Sequence, residues 1–284
     1  PDSIGVSLNC NDSIAVSYTI YNTGTGDLVY NTTGGSYTDS VNVLSMTHGV
    51  DLSTEYPNTL TAINNYFTKY NLTTSSTTDS AVFRSLLAGK DLVLFPEQES
   101  GTITQYPLFT PIIQDFMNNG GVALVLGSVG AGSQDRVYTM GMFTGNYMTN
   151  ANTGTMTVTD TTHEYMENIP LAVNAVNATF YHNFTNLDKE TLIIHNTGDV
   201  LSYRNIGAGR AVFLGFDYFA SSAQTQRIIA NIIENSRLNA LPPWVQSTST
   251  TDTITPGDSV VVYLTFNSSG LTAGTYTSQI IINS

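Results

Sequence analysis

Apolar and polar positions follow two different periods along this chain, and the change of period divides it. Near the start, Ile14, Val16, Tyr18 and Ile20 alternate with Ala15, Ser17, Thr19 and Tyr21, the period of two that marks a half-buried strand. Asn22-Thr23-Gly24-Thr25-Gly26-Asp27 supplies a turn, because Gly and Asn reach positive φ cheaply, and Leu28-Val29-Tyr30 begins the next strand. The far end has the same style. Pro256-Gly257-Asp258 turns the chain before the apolar run 260–266, further turns fall at 267–270 and 273–274, and 276–282 makes a last strand. Roughly 35 residues at one end and 44 at the other approach the size of one seven-stranded β-sandwich.

Between the ends, strands alternate with helices. The run 41–46 predicts a strand, and 57–70 a helix with Leu60, Ile63 and Phe67 on one face. Asp79 is placed to cap a helix over 80–88, with Gly89 ending it. Buried strands are predicted at 91–96, 122–126 and 211–216, helices at 108–118 and 222–236, and a β-rich stretch lies between 126 and about 203. Strands that are apolar throughout and separated by helices imply a parallel sheet covered on both faces. The expected fold is therefore α/β plus all-β, with a domain at 40–239 inserted into a sandwich built from 1–39 and 240–284. Exposed loops tolerate such insertions.

Composition narrows the partners. Charged residues are only 11 % of the chain, and 9 Lys plus Arg face 22 Asp plus Glu for a net charge of −13. Such a surface repels nucleic acid and anionic membranes, so neither is an expected partner. No apolar run approaches the ~20 residues of a membrane-spanning helix, which argues against direct membrane insertion. The chain begins at Pro1 with neither an initiator Met nor a signal peptide and is expected to be a processed product or a segment of something larger. Cys10 is the only cysteine, so an internal disulfide and a zinc site of cysteine ligands are excluded, and it is expected to be a small buried hydrophobe.

Low Lys with abundant Thr, Ser and Asn suggests an extracellular or cell-surface location. Six Asn-x-Ser/Thr sequons occur, at Asn11, Asn31, Asn71, Asn177, Asn183 and Asn267. Asp followed by Ser or Thr recurs at Ser13, Ser40, Ser80, Thr161, Thr253 and Ser259. That pattern resembles an O-glycosylation signal of secreted Bacteroidota proteins, and capping of turns and helices by Asp accounts for it equally well.

The chain ends carry a resemblance. "SIAVSYTIYNTGTGDLVY" and "LPPWVQSTSTTDTITPGDSVVVYLTFNSSGLTAGTYTSQIIINS" look like the two halves of an immunoglobulin-like repeat of secreted Bacteroidota surface proteins. The middle, through "VNVLSMTHG", "LLAGKDLVLFPEQE", "FMNNGGVALVLGSVG", "DTTHEYMENIP" and "GAGRAVFLGFDYF", resembles the class I glutamine amidotransferase-like group. This likeness implies a three-layer flavodoxin-like sheet inserted into an immunoglobulin-like β-sandwich. Active members place a nucleophilic Cys on the turn after the central strand, and here Leu126-Gly127-Ser128-Val129-Gly130 occupies it.

The candidate chemistry is correspondingly thin. Ser128 fails the G-x-S-x-G pattern at Leu126. His48, Glu97 and Asp217, with Glu99, follow predicted strands and would share a rim with Ser128 at the carboxyl edge of the sheet, where such folds bind ligands. His163 reads as a turn residue, and His182 and His195 have no evident acidic partner in the sequence. No His or carboxylate series has metal-site spacing, and the glycines at 127, 130 and 132 do not form a phosphate cradle, so no metal or cofactor is expected. The expected function is a non-catalytic extracellular structural or adhesive module, a tandem repeat or filament unit whose partners are neighbouring copies of the same protein. A carbohydrate- or surface-polymer-binding module with glycans as partner ranks second, and a hydrolase using Ser128 last.

Overall fold

The computed structural model describes residues 4–34, 40–100, 106–127, 136–151, 154–196, 198–237, 244–248, 251–269, 271, 273–274 and 280–283. The chain divides into two compact units, 1–38 with 237–284, and 39–236. In chain order, β1 (Ser13–Tyr21) and β2 (Leu28–Gly34) open the terminal unit. The second unit begins β3 (Val41–Met46), α1 (Glu55–Asn64), β4 (Tyr70–Ser75), α2 (Ser80–Leu86), β5 (Leu92–Phe95), α3 (Tyr106–Asn118) and β6 (Val122–Leu126). It continues through α4 (Arg136–Thr139), β7 (Gly145–Ala151), β8 (Gly154–Val158), β9 (Ala172–Ala175), β10 (Thr179–Phe184), β11 (Lys189–His195), β12 (Gly198–Ile206), β13 (Gly209–Leu214) and α5 (Ala223–Glu234). The terminal unit then closes with β14 (Val245–Ser247), β15 (Thr251–Ile254), β16 (Ser259–Asn267) and β17 (Ile280–Asn283).

Two features of the expected fold are corrected. The chain ends form two three-stranded antiparallel sheets among the described residues, β1-β16-β14 and β15-β2-β17, and the immunoglobulin-like sandwich is not supported. The turn motifs that suggested it, such as Pro256-Gly257-Asp258, specify a reversal in any antiparallel sheet. The second unit is built on one mixed 11-stranded sheet, not a parallel one. Strands β4-β3-β5-β6-β13 run parallel, and from β12 onward the neighbours are antiparallel. The β-rich stretch after β6 extends this sheet because consecutive strands joined by short turns can pair only antiparallel.

The apolar runs are buried on both faces. Leu92 and Leu94 of β5 pack in one core with Ile63 of α1 and Ile228 and Ile229 of α5. Val93 and Phe95 join a second core with Phe83 of α2 and Phe109 and Ile113 of α3. Asp79 accepts a hydrogen bond from the backbone N–H of Val82 (2.9 Å), capping α2. The helix expected to reach Tyr70 stops at Asn64, and Tyr70–Ser75 pairs with β3 as a strand. Asn64 and Asn65 are poor helix formers, and pairing with β3 then decides the following segment.

Cys10, expected to be buried, is exposed. The Asp residues of the Asp-Ser/Thr pairs at 12, 79, 160, 252 and 258 each accept a nearby main-chain hydrogen bond, as capping requires. Among the described residues no helix is long and apolar enough to cross a membrane.

Candidate functional site

The parallel strands define the site. Their order, β4-β3-β5-β6-β13, places the first strand of the unit between the second and the third, so successive connections leave β3 in opposite directions. Connections that diverge in this way open a crevice beyond the carboxyl ends of β3 and β5, where open α/β sheets bind ligands.

Three carboxylates enter that crevice. Glu97 and Glu99 follow β5 after Pro96, and Glu55 is the first residue of α1. One oxygen from each lies within 4.8 Å of the others. The loop after β3 supports them: the carbonyl of Gly49 accepts hydrogen bonds from the N–H groups of Glu99 (2.8 Å) and Ser100 (3.0 Å). Gln98, buried between the acids, donates to the Ser100 carbonyl (2.9 Å) and accepts from the Tyr106 hydroxyl (3.1 Å). Below them, the buried Arg136 guanidinium donates to the carbonyls of Pro96 (2.8 Å) and Leu126 (3.2 Å), tying the ends of β5 and β6 together.

Asp217, just beyond β13, is the fourth acid. Its carboxylate accepts from the Asn177 amide (2.9 Å) and from the N–H of Phe219 (2.7 Å). The Phe219 carbonyl accepts from the Asn58 side chain of α1 (2.9 Å), while the Phe219 side chain stands 56 % exposed.

Crowding governs the electrostatics. Burial, then repulsion from Asp217, Glu55 and Glu99, pushes the Glu97 carboxyl up to about 10. Burial, then Asp217 and Glu99, raises Glu55 to about 8, and Asp217 is also raised, chiefly by burial. The Oε2 atoms of Glu97 and Glu55 are buried with no hydrogen-bond partner. Glu97 itself is only 5 % exposed.

Of the residues singled out in the sequence, Glu97, Glu99 and Asp217 come together. His48 lies half-buried in the turn after β3, and among the described residues it is not part of the carboxylate group. Ser128 lies outside the described residues. Glu55 and Phe219 were not anticipated. The expectation that no carboxylate series could form a metal site came from spacing along the chain, whereas these three converge from two separate segments. His163 accepts a hydrogen bond from the Tyr165 N–H (3.1 Å) and packs on Tyr203. His182, for which no acidic partner was evident, is buried opposite Asp199 and bonded to the Tyr138 hydroxyl.

No protein-family model matches the sequence, and no curated protein matches it. Among solved structures, the chain is similar to a ThuA-like protein from Bacteroides uniformis. The identity is 12 %, covering 68 % of this chain and 89 % of that one, with a TM-score of 0.49. A GMP synthase protein from Thermoplasma acidophilum is similar at 11 % identity, 70 % and 96 % coverage and a TM-score of 0.49. A cytoplasmic protein from Salmonella typhimurium is similar at 9 % identity, 69 % and 98 % coverage and a TM-score of 0.46. None of these is an immunoglobulin-like repeat of a surface protein, and that resemblance is withdrawn. The expectations of an extracellular or cell-surface location, of filaments and of adhesion are withdrawn with it, one of these structures being a cytoplasmic protein.

Proposed function

We propose that the α/β unit is a non-catalytic binding module that takes a polyhydroxylated ligand, a carbohydrate, in the acidic crevice. The observation that carries this reading is the convergence of Glu55, Glu97, Glu99 and Asp217 at the divergence point of the sheet, beside the exposed Phe219. Ionised carboxylates are pure acceptors with two oxygens each, suited to the O–H groups of a polyol. The Phe219 ring, on a backbone held from both sides by Asn58 and Asp217, offers a flat apolar face against which a sugar ring can lie. A purely structural role gives no reason to gather four acids in one place. Such crowding is unfavourable for stability and typically marks a functional site.

A glycan array followed by calorimetry on the intact chain tests the proposal. We expect saturable binding of at least one neutral glycan, lost in Phe219→Ala and Glu99→Gln while both keep the parent melting temperature. Both side chains are exposed, so their replacement spares the core. An array with no binders, or binding that survives both changes, would refute it. Glycoside turnover abolished by Glu97→Gln would replace binding by hydrolysis as the function.

A further inference from the structure

We infer that Glu55, Glu97 and Glu99 hold a hard divalent cation, through which the hydroxyl groups of the ligand are bound. This deepens the carbohydrate reading and rests on it only for the ligand, not for the ion. Three observations carry it. The first is spacing. Oxygens bound to one Ca²⁺ lie about 2.3–2.6 Å from it, so two oxygens on opposite sides are roughly 5 Å apart. The three carboxylates fall inside that span, with one oxygen of each within 4.8 Å of the others.

The second is an orphaned oxygen. Glu97 is only 5 % exposed, and its Oε2 has no hydrogen-bond partner. The Oε2 of Glu55 shares that condition. A buried acceptor left without a partner is destabilising by about 1–3 kcal/mol, more when charged. If the three acids were simply sharing protons, each buried oxygen would be expected to meet an O–H. A cation between them satisfies all three together, because its field is not directional.

The third is composition and position. The group offers oxygen only, with no thiolate or imidazole among the three, which selects Ca²⁺, Mg²⁺ or Mn²⁺ over Zn²⁺ or Cu²⁺. Glu55 and Glu99 are partly open, so an ion held below them would keep coordination sites facing the crevice for water or vicinal hydroxyls. Arg136, the buried cation nearby, donates to main-chain carbonyls of Pro96 and Leu126. It sets the loop that carries Glu97.

The test uses the full chain after EDTA treatment and gel filtration, titrated with CaCl₂, MgCl₂ and MnCl₂ separately and with ZnCl₂ as contrast. One-site saturable binding of at least one of the first three, at about 1 mM or tighter, is expected, with a melting temperature that rises and saturates with the ion. Glu99→Gln, an exposed change that spares folding, should weaken binding about tenfold or more, and Glu97→Gln should abolish it. No saturable binding of any of the three, or binding indifferent to both variants, overturns the inference. The two readings fail separately. Ion binding with no glycan bound leaves the cation site standing and removes the carbohydrate, whereas glycan binding that persists in EDTA removes the cation's role and leaves the carbohydrate.

Discussion

Gly49 and Ser100 are joined so closely that no side chain fits between them. The Gly49 carbonyl accepts from the Ser100 N–H (3.0 Å), and a Cβ on Gly49 would lie 1.9 Å from the Ser100 carbonyl oxygen. Gly49 also has φ +70°, a conformation L residues other than glycine rarely adopt. This pair locks the turn after β3 to the segment carrying Glu97 and Glu99. Gly49→Ala should therefore destabilise the α/β unit by about 1–3 kcal/mol, lowering its melting temperature by several degrees, and weaken any ligand of the crevice. Thermal denaturation followed by circular dichroism checks it. A variant as stable as the parent would show that the loop relaxes freely.

Glu97 imposes a pH dependence of known sign. Its carboxyl is raised in the folded chain to about 10 by burial and the neighbouring acids, from an ordinary value near 4.5. Its stabilising share is thus complete below about pH 4.5 and is lost as pH rises towards 10. In chelator, the parent should lose a few kcal/mol between pH 5 and 9 by this route, and Glu97→Gln should flatten the slope and be the more stable protein at pH 8. Urea denaturation across that range reads it out. Equal slopes would mean that the buried carboxyl is relieved in another way.

The rim of the sheet was legible in the sequence because position in a βα unit is a local property. An apolar strand ending at Phe95 or Leu214 puts the next polar residues at the carboxyl edge, and so Glu97, Glu99 and Asp217 could be named. Glu55 could not, since its place depends on α1 starting close to Glu97 in space, a tertiary fact. The signal available was modest: it is an acid in the first turn after the first strand. The parallel core was legible from apolar runs. The antiparallel extension was not, because sequence reports that a strand exists and not which edge it joins. At the chain ends, turn chemistry was read as a family mark, although Gly, Asn and Pro describe a turn and not the sheets it connects.

His182 should make the protein sensitive to acid. It lies between Phe184, stacked at 5.0 Å, and Phe213, edge-on at 4.5 Å, with its Nδ1 2.5 Å from the Tyr138 hydroxyl. Burial outweighs the attraction of Asp199 and lowers its pKa to about 4. A depressed histidine gives stability that is complete above its ordinary value of 6.5 and is lost as pH falls from there towards 4. The loss should approach about 3 kcal/mol. His182→Gln, which keeps a partner for Tyr138 and cannot titrate, should unfold at lower pH than the parent in a fluorescence titration. Coincident acid transitions would assign the loss to other groups.

Arg210 presents a case in which two changes should be milder than one. Its guanidinium lies over the Tyr203 ring at 4.7 Å and the Tyr165 ring at 5.5 Å, and it donates to the Glu164 carboxylate at 2.5 Å. Burial works against its charge, and the neighbouring Tyr165 and Glu164 restore it, leaving the pKa above the ordinary arginine value. Arg210→Met keeps most of the side-chain bulk between the rings but leaves Glu164 largely buried without its cation. That change should cost about 3 kcal/mol or more. Glu164→Gln in the same background removes the uncompensated charge, so the double variant should recover a substantial part of the loss. Arg210→Lys should fall between, because an ammonium keeps the charge but not the planar stacking. Urea denaturation of the parent, the two single variants and the double variant gives the coupling directly. Additive losses would show that the carboxylate finds water once the guanidinium is gone, and that the two tyrosine rings, not the ion pair, hold Arg210 in place.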